Sequence, residues 1–384
     1  MEYYFDKLKG DIMVFEGIKK NFGFGVMRLP MNGEEIDIPQ SIEMVDAFME
    51  AGFHYFDTAH GYLDGKSEGA VKACVSSRYP RNAYILTTKL TENFFKTQED
   101  IRPLFQSQLE ACGVDYFDFY LMHAQNMKNY AHFKKCRAYE TAFALKQEGK
   151  IRHVGISFHD TAEVLEKILV EYPQIECVQI QLNYVDYDDP SVQGRQCYEV
   201  CRKYDKPIIV MEPVKGGNLV KLPESALHTF SALGEASPAS YALRYAAGFP
   251  GVFMVLSGMS NMEQMRDNIR SMQDFHPLST EEREAVESVK KILANLNTIN
   301  CTTCRYCISE CPQKISIPDL FALMNTKQIY HDWNADFYYN TVHTSEGRKA
   351  SDCIQCGQCE EVCPQHLPIR ELLVKVAGEF ETKQ

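Results

Sequence analysis

A (β/α)8 TIM barrel, α/β in class, followed by a small, mainly α-helical domain is the architecture that three observations predict. Eight strand-like segments alternate with helical patterns between residues 22 and 256. Proton-carrying side chains stand at the carboxyl ends of three successive strands among them, the rim on which such barrels build their sites. Eight cysteines then crowd into the last 84 residues, in two runs of the same spacing. A chain of 384 residues accommodates both parts. The boundary is expected near Asn297–Asn300, giving residues 1–298 to the barrel and 299–384 to the tail.

In order, the strands are expected at Phe22–Met27, Phe53–Asp57, Ala83–Thr88, Phe117–Met122, His153–Ser157, Val178–Asn183, Pro207–Met211 and Val252–Leu256. Ile42, Val45, Phe48 and Met49 share one helical face between the first and second strands, and Ile101, Leu104, Phe105 and Leu109 share another between the third and fourth. Thr97-x-x-Asp100 and Asp160-x-x-Glu163 have the capping-box pattern, and Ser237-Pro238 puts a cap before a proline at a first helical turn. Gly23-x-Gly25 lacks the third glycine of a dinucleotide fingerprint, which weighs against a doubly wound sheet. Ser279-x-x-Glu282 opens a connecting helix with Val286, Val289, Leu293 and Leu296. In the tail, an aromatic stretch from Ile329 to Tyr339 holds the only tryptophan, Trp333, and is a candidate lid, docking surface or packing element.

Composition narrows the class. The chain is 45% hydrophobic and 24% charged, as globular proteins are. A net charge of −12 argues against nucleic acid or an anionic membrane as partner. Met1 to Lys20 contains no apolar core of a signal peptide, and no apolar run reaches the ~18 residues of a membrane span. The expected address is the cytoplasm.

In that setting, two C-x-x-C-x-x-C-x-x-x-C-P runs point to metal ligation rather than disulfides. Cys301, Cys304, Cys307 and Cys311 are matched by Cys353, Cys356, Cys359 and Cys363. Two-residue gaps let one turn of chain offer three thiolates to one inorganic core, while the cysteine before proline reaches across to the other. Two [4Fe–4S] clusters are expected, one on Cys301, Cys304, Cys307 and Cys363, the other on Cys353, Cys356, Cys359 and Cys311. Two structural zinc sites are the alternative reading of four thiolates each. The remaining cysteines, Cys74, Cys112, Cys136, Cys177, Cys197 and Cys201, are scattered and expected to be small buried apolar residues.

At the barrel rim, Asp57 ends the second strand, Tyr62 follows five residues later, Lys89 follows the third strand and His123 the fourth. A phenol titrates near ~10; a nearby ammonium favours the phenolate and is expected to lower that value. Asp57 would keep Lys89 charged and aimed, and His123 would orient a substrate carbonyl.

Asp57-Thr58-Ala59-x-x-Tyr62, Thr88-Lys89 and Leu121-Met122-His123 resemble the catalytic tetrad of the aldo-keto reductases, over residues 20–298. The resemblance implies Tyr62 as general acid, Lys89 and Asp57 as its electrostatic support, and His123 as carbonyl orienter. The whole chain is similar to members of that family with a carboxyl-terminal ferredoxin-like domain. It shares with them Gly23-Phe24-Gly25-Val26-Met27-Arg28, Gly155-Ile156-Ser157-Phe158-His159-Asp160 and Met211-Glu212-Pro213-Val214-Lys215-Gly216-Gly217. The long spacer between the cysteine runs resembles α-helical ferredoxins.

Lys215-Gly216-Gly217 after the seventh strand and Ser257-Gly258-Met259-Ser260 after the eighth occupy the place of a barrel phosphate site, beside the helix that begins at Asn261. The resemblance implies that Ser157, Gln181 and Asn183 contact a nicotinamide amide. The chain departs from the family at Phe158, usually Asn, and at Met211, usually a stacking Tyr. It departs again at Gly258 and Gln264, where basic residues usually hold a 2′-phosphate, leaving Gln264 and Asn268 to contact adenine. NAD(P)H is the expected hydride donor. FMN is the alternative, because hydride and one-electron chemistry connect through a flavin. The expectation is thus an oxidoreductase that reduces a small-molecule carbonyl or oxidises an alcohol, with a redox partner protein possible at the clusters. A redox-sensing, nucleotide-binding subunit without turnover is the alternative from another class.

Overall fold

The computed structural model describes residues 15–189, 192–296, 298–330, 334–344 and 347–381. The chain divides into two compact units. The first holds residues up to Asp189, Gln193–Pro213 and Ala239–Leu278, and the second includes Val214–Pro238 and everything from Ser279 onward.

The strands of the first unit are β1 (Phe22–Gly25), a small hairpin of β2 (Met31–Asn32) and β3 (Glu35–Ile36), β4 (Tyr55–Asp57), β5 (Ile85–Leu90), β6 (Phe117–Gln125), β7 (Ile151–Phe158), β8 (Cys177–Gln181), β9 (Ile208–Met211) and β10 (Val252–Ser257). All but the hairpin close into a barrel in the order β1-β10-β9-β8-β7-β6-β5-β4, every neighbour parallel. Parallel strands covered on both faces read as near-continuous apolar runs, which is why all eight were found in the sequence. Tyr55, Ile85, Phe119, Leu121, Cys177, Ile209 and Phe253 pack together with Phe15 and Ile18. Gly23 has no room for a side chain there: a Cβ would stand 2.8 Å from the Leu256 side chain and 2.9 Å from Tyr55.

Several strands run further than expected at their carboxyl ends, β7 to Phe158 and β10 to Ser257 among them. β5 extends past Thr88 to take in Lys89, and β6 extends past Met122 to take in His123. Polar residues carry little local strand signal, but ladder partners such as Lys89 beside Leu121 hold them in register. Helix Gln98–Cys112 begins with the expected capping box, Asp100 accepting from the Thr97 N–H at 2.9 Å. Helix Thr280–Ala294 begins with the Ser279–Glu282 box, and helix Pro238–Ala247 starts at its proline. The Asp160 box does not form. Helix Ala162–Glu171 begins after Thr161, because one Asp160 oxygen accepts the Met127 N–H at 2.7 Å. All six scattered cysteines are buried.

The second unit is a repeat in backbone as well as in sequence. Thr303, Arg305 and Lys314 have left-handed φ of 56°, 68° and 55°, at offsets matched by Gln355, Gly357 and His366 at 59°, 81° and 49°. A left-handed L-residue costs roughly 1–2 kcal/mol, so five non-glycine examples at repeated positions mark a conformation that the surroundings impose. Short helices Tyr306–Ser309 and Gln358–Glu361 follow, then the longer Ile317–Tyr330 and Ile369–Phe380. Ile315, Ile317, Leu320, Phe321, Ile369, Leu373, Val376 and Phe380 form its core with Ala335 and Tyr339. Trp333 lies outside the described residues. Among the described residues no helix is long and apolar enough to cross a membrane.

Candidate active site and cysteine cages

Asp57 is the last residue of β4 and Lys89 the penultimate one of β5, so the parallel register brings both to one rim. Lys89 is fully buried; its Nζ lies 2.5 Å from Asp57 Oδ1 and donates to the Thr58 carbonyl at 2.8 Å. Burial pulls Lys89 below the lysine range and Asp57 above the carboxylate range, each opposed by the other's charge. Beneath them Glu68 is buried, accepting from Thr88 Oγ1 at 2.8 Å and from Gln108 Nε2 at 2.9 Å. Gln108 also donates to the Lys89 carbonyl at 3.0 Å, which fixes the end of β5.

Tyr62 sits in the turn after β4, its ring centroid 4.8 Å from Lys89 Nζ and 5.7 Å from the His123 ring. The expected lowering of its pKa is not met. Burial first, then the charges of Asp57 and Glu212, push the phenol well above the ordinary tyrosine range against a smaller pull from Arg28. The Lys89 charge faces Asp57 at hydrogen-bond distance and does not reach the phenol as a free cation. Burial, with Lys89 and His159, holds His123 well below the usual histidine value, so the ring is neutral. Its Nδ1 shares a hydrogen bond of 2.7 Å with Thr91 Oγ1; when Thr91 donates, the ring proton stands on Nε2. Left-handed φ of 52° at Leu63, 51° at Ala124 and 55° at Glu212 come directly after Tyr62, His123 and Met211, so backbone strain concentrates at this rim.

Sequence reasoning missed two contributors. Gln179, on β8, donates to Asp57 Oδ2 at 3.4 Å; its alternation with Gln181 inside the apolar run Val178–Leu182 was the available signal. Arg28, in the turn after β1, lies over Gly258, where a Cβ would stand 3.1 Å from its side chain. It also faces Glu212, Nη2 to Oε1 at 3.9 Å. Arg28 thus brings a cation beside Gly258 from 230 residues away in the chain (258 − 28), which no local pattern announces.

The expected cofactor residues divide. Ser157, Gln181, Met211 and Ser257 stand at the ends of β7, β8, β9 and β10. Ser157 Oγ accepts from the Ala124 N–H at 3.4 Å, and Gln181 Nε2 donates to Asp186 at 2.7 Å. Asn183 is engaged within the protein: its amide donates to Asp186 at 2.7 Å and to the Glu212 carbonyl at 3.0 Å, and its oxygen accepts from Val185 and Asp186. Asn268 donates to Ser257 at 2.9 Å, and Gln264 Oε1 accepts the Ser260 N–H at 2.7 Å. Lys215, Gly216 and Gly217, expected at a phosphate site, belong to the second unit. There a Cβ at Gly216 would stand 2.3 Å from the Thr302 carbonyl oxygen.

In that unit the cysteines ring two cavities. Cys301, Cys304, Cys307 and Cys363 line one of about 320 Å³, and Cys311, Cys353, Cys356 and Cys359 line another of about 300 Å³, open mouths included. Each set takes its fourth thiol from the other run, and Ile317 lines both cavities. Among the described residues no three His, Cys, Asp or Glu side chains form a single-ion site. Four thiols lining one cavity make the all-cysteine donor set that a [4Fe–4S] core takes. Burial pushes the Cys363 thiol up while the backbone N–H groups of Leu367, Gln365 and His366 oppose it, and the Thr303 N–H donates to Cys301 Sγ at 3.4 Å.

Comparison with known proteins agrees with both halves. Residues 21–291 match the model of the aldo/keto reductase family, and residues 300–367 match that of the 4Fe-4S dicluster domain. An aldo-keto reductase of Mycolicibacterium paratuberculosis is 27% identical over 280 residues, 71% of this chain and 87% of that protein. The uncharacterized oxidoreductase YqkF of Bacillus subtilis is 24% identical over 284 residues, 66% of this chain and 88% of YqkF. A crystal structure of a Klebsiella pneumoniae aldo-keto reductase in complex with NADPH superposes with a TM-score of 0.57 at 18% identity, over 70% of this chain and 90% of its own.

Proposed function

The chain belongs to the aldo/keto reductase family and carries a 4Fe-4S dicluster domain, and from that premise we propose that its barrel interconverts a small carbonyl compound and the corresponding alcohol. The observation that carries the reading is Tyr62 beside the buried Lys89–Asp57 pair and the neutral His123 ring. The phenol, held protonated by its raised pKa, gives its proton to the carbonyl oxygen during reduction. His123 donates from Nε2 to the same oxygen and fixes its position, with Thr91 holding the ring. The Lys89–Asp57 pair anchors the floor of the site and limits the cost of phenolate character in the reverse direction.

A nicotinamide cofactor, bound as NADPH in the Klebsiella pneumoniae neighbour, supplies the hydride. Ser157, Gln181 and Met211 are the residues fitted to its ring, and Gly258, Arg28, Gln264 and Asn268 to its distal end. Two [4Fe–4S] clusters are held by the two sets of four thiols, each supplying one-electron chemistry. A second reading, FMN at the same rim, is favoured by the dicluster domain itself, since a flavin joins two-electron to one-electron steps.

The Tyr62→Phe variant tests the assignment. Turnover of any carbonyl substrate should fall by about 10²–10⁴-fold, with circular dichroism and iron content unchanged. A Y62F enzyme of wild-type rate rejects Tyr62 as the acid. Absorption spectra and cofactor extraction on anaerobically purified protein decide between nicotinamide and flavin.

A further inference from the structure

We propose that Lys215 is the charge that raises the reduction potential of the cluster on Cys301, Cys304, Cys307 and Cys363 above that of its neighbour; the proposal rests on the cluster reading just given. Three contacts carry it, all inside the second unit. Lys215 is 2% exposed and its Nζ lies 3.3 Å from Gln365 Oε1, and Gln365 itself lines the cavity of those four thiols. Gly216, at φ 64°, presses its backbone onto Thr302, a Cβ there being 2.3 Å from the Thr302 oxygen. Asn218 Nδ2 then donates to the Cys301 carbonyl at 2.8 Å. The segment is clamped directly after Lys215, at Gly216 and at Asn218, which holds the ammonium one side chain away from the cavity.

Reduction of a [4Fe–4S] cluster adds one negative charge, and a buried cation stabilises the reduced form more than the oxidised one. The second cavity, lined by Ile317, Pro312, Gln313, Ile354, Gly357 and Leu373 besides its thiols, has no cationic side chain in its wall among the described residues; Arg370, beside its Gly357, is half exposed and paired with Glu360 at 2.9 Å, so solvent and counter-charge screen it. Arg305 lines the first cavity too, but its guanidinium is half exposed and paired with Asp319 at 2.8 Å, so solvent and counter-charge screen it. Lys215 is therefore the asymmetric element between two otherwise repeated cages, and electrons come to rest on the first.

The experiment is a dithionite titration of the full chain, loaded with iron and sulfide without oxygen, with the reduced clusters followed by electron paramagnetic resonance. The wild type should show two one-electron steps. In Lys215→Gln the higher step should move down by roughly tenfold in its equilibrium constant, about 59 mV for one electron, while the lower step stays; Lys215→Arg should hold it. Gln365→Glu, which sets a counter-charge beside the intact lysine, should lower the same step and serves if K215Q does not load. Iron content retained with both steps unmoved, or both moved equally, overturns the proposal. So does NADPH affinity that falls in K215Q with both potentials fixed, which would give Lys215 a phosphate-binding role. A wild type that takes up no iron overturns the cluster reading along with the proposal, a result distinct from loaded protein with unmoved potentials.

Discussion

His123 and His54 are both buried and both held below the ordinary histidine value, chiefly because burial disfavours the charged ring. In the unfolded chain each takes up a proton near ~6.5; in the folded chain each stays neutral to lower pH. Below that value the unfolded state binds more protons, so stability falls as the solution is acidified through pH ~6.5 and is level above it. The urea midpoint should be constant from pH 8 to 7 and drop between pH 6.5 and 5, before the carboxylates contribute. A midpoint that does not move across that window contradicts the assignment. His54→Asn should flatten the drop in part, since His54 bonds the Gly17 carbonyl from outside the catalytic group. At this scale the gathering of Asp57, Lys89 and His123 at one rim was legible because each stands at the end of a strand-like run, and Tyr62 through its spacing from Asp57. Their energetics were not: the Tyr62 pKa is raised by burial first, then by Asp57 and by Glu212, which lies 150 residues away (212 − 62).

The 214–218 segment shows where element-scale reading stops. A lysine and two glycines after a barrel strand look the same whether the backbone cradles a phosphate or another stretch of protein, because both require φ > 0 and close approach. Gly216 and Gly217 separate the two demands. Both have positive φ, 64° and 98°, but only at Gly216 would a Cβ meet a backbone atom, while nothing lies within 4 Å of one at Gly217. Gly217→Ala should cost about 1–2 kcal/mol from the left-handed backbone alone. Gly216→Ala should cost more than that and should also loosen the first cysteine run. Thermal unfolding followed at the cluster absorbance would check the order, and equal melting points would contradict the close approach. The Asp160 box failed for a comparable reason: its spacing was right, but the carboxylate met a nearer donor, the Met127 N–H, from another element. Strand order, by contrast, needed only apolar runs and helical crossovers, which are local properties of the chain.

Across the whole molecule, the exchanged fourth thiols make the two cysteine runs one cooperative object. Cys363→Ser, although it lies in the second run, should impair the cluster of the first, and Cys311→Ser the cluster of the second. Iron analysis with electron paramagnetic resonance should therefore pair C363S with C301S, and C311S with C353S; pairing by run would reject the exchange. Spacing alone made this arrangement legible, because it is a property of the motif rather than of distant packing.

The same exchange has a consequence for the order of synthesis. Cys307 leaves the ribosome 56 residues before Cys363 (363 − 307), so neither cage is complete until the second run is made. For that interval the thiols already made stand without their fourth partner, exposed to oxidation and to stray metals. On this reading iron–sulfur delivery follows translation of both runs, and a chain cut between them would hold no complete cage at all.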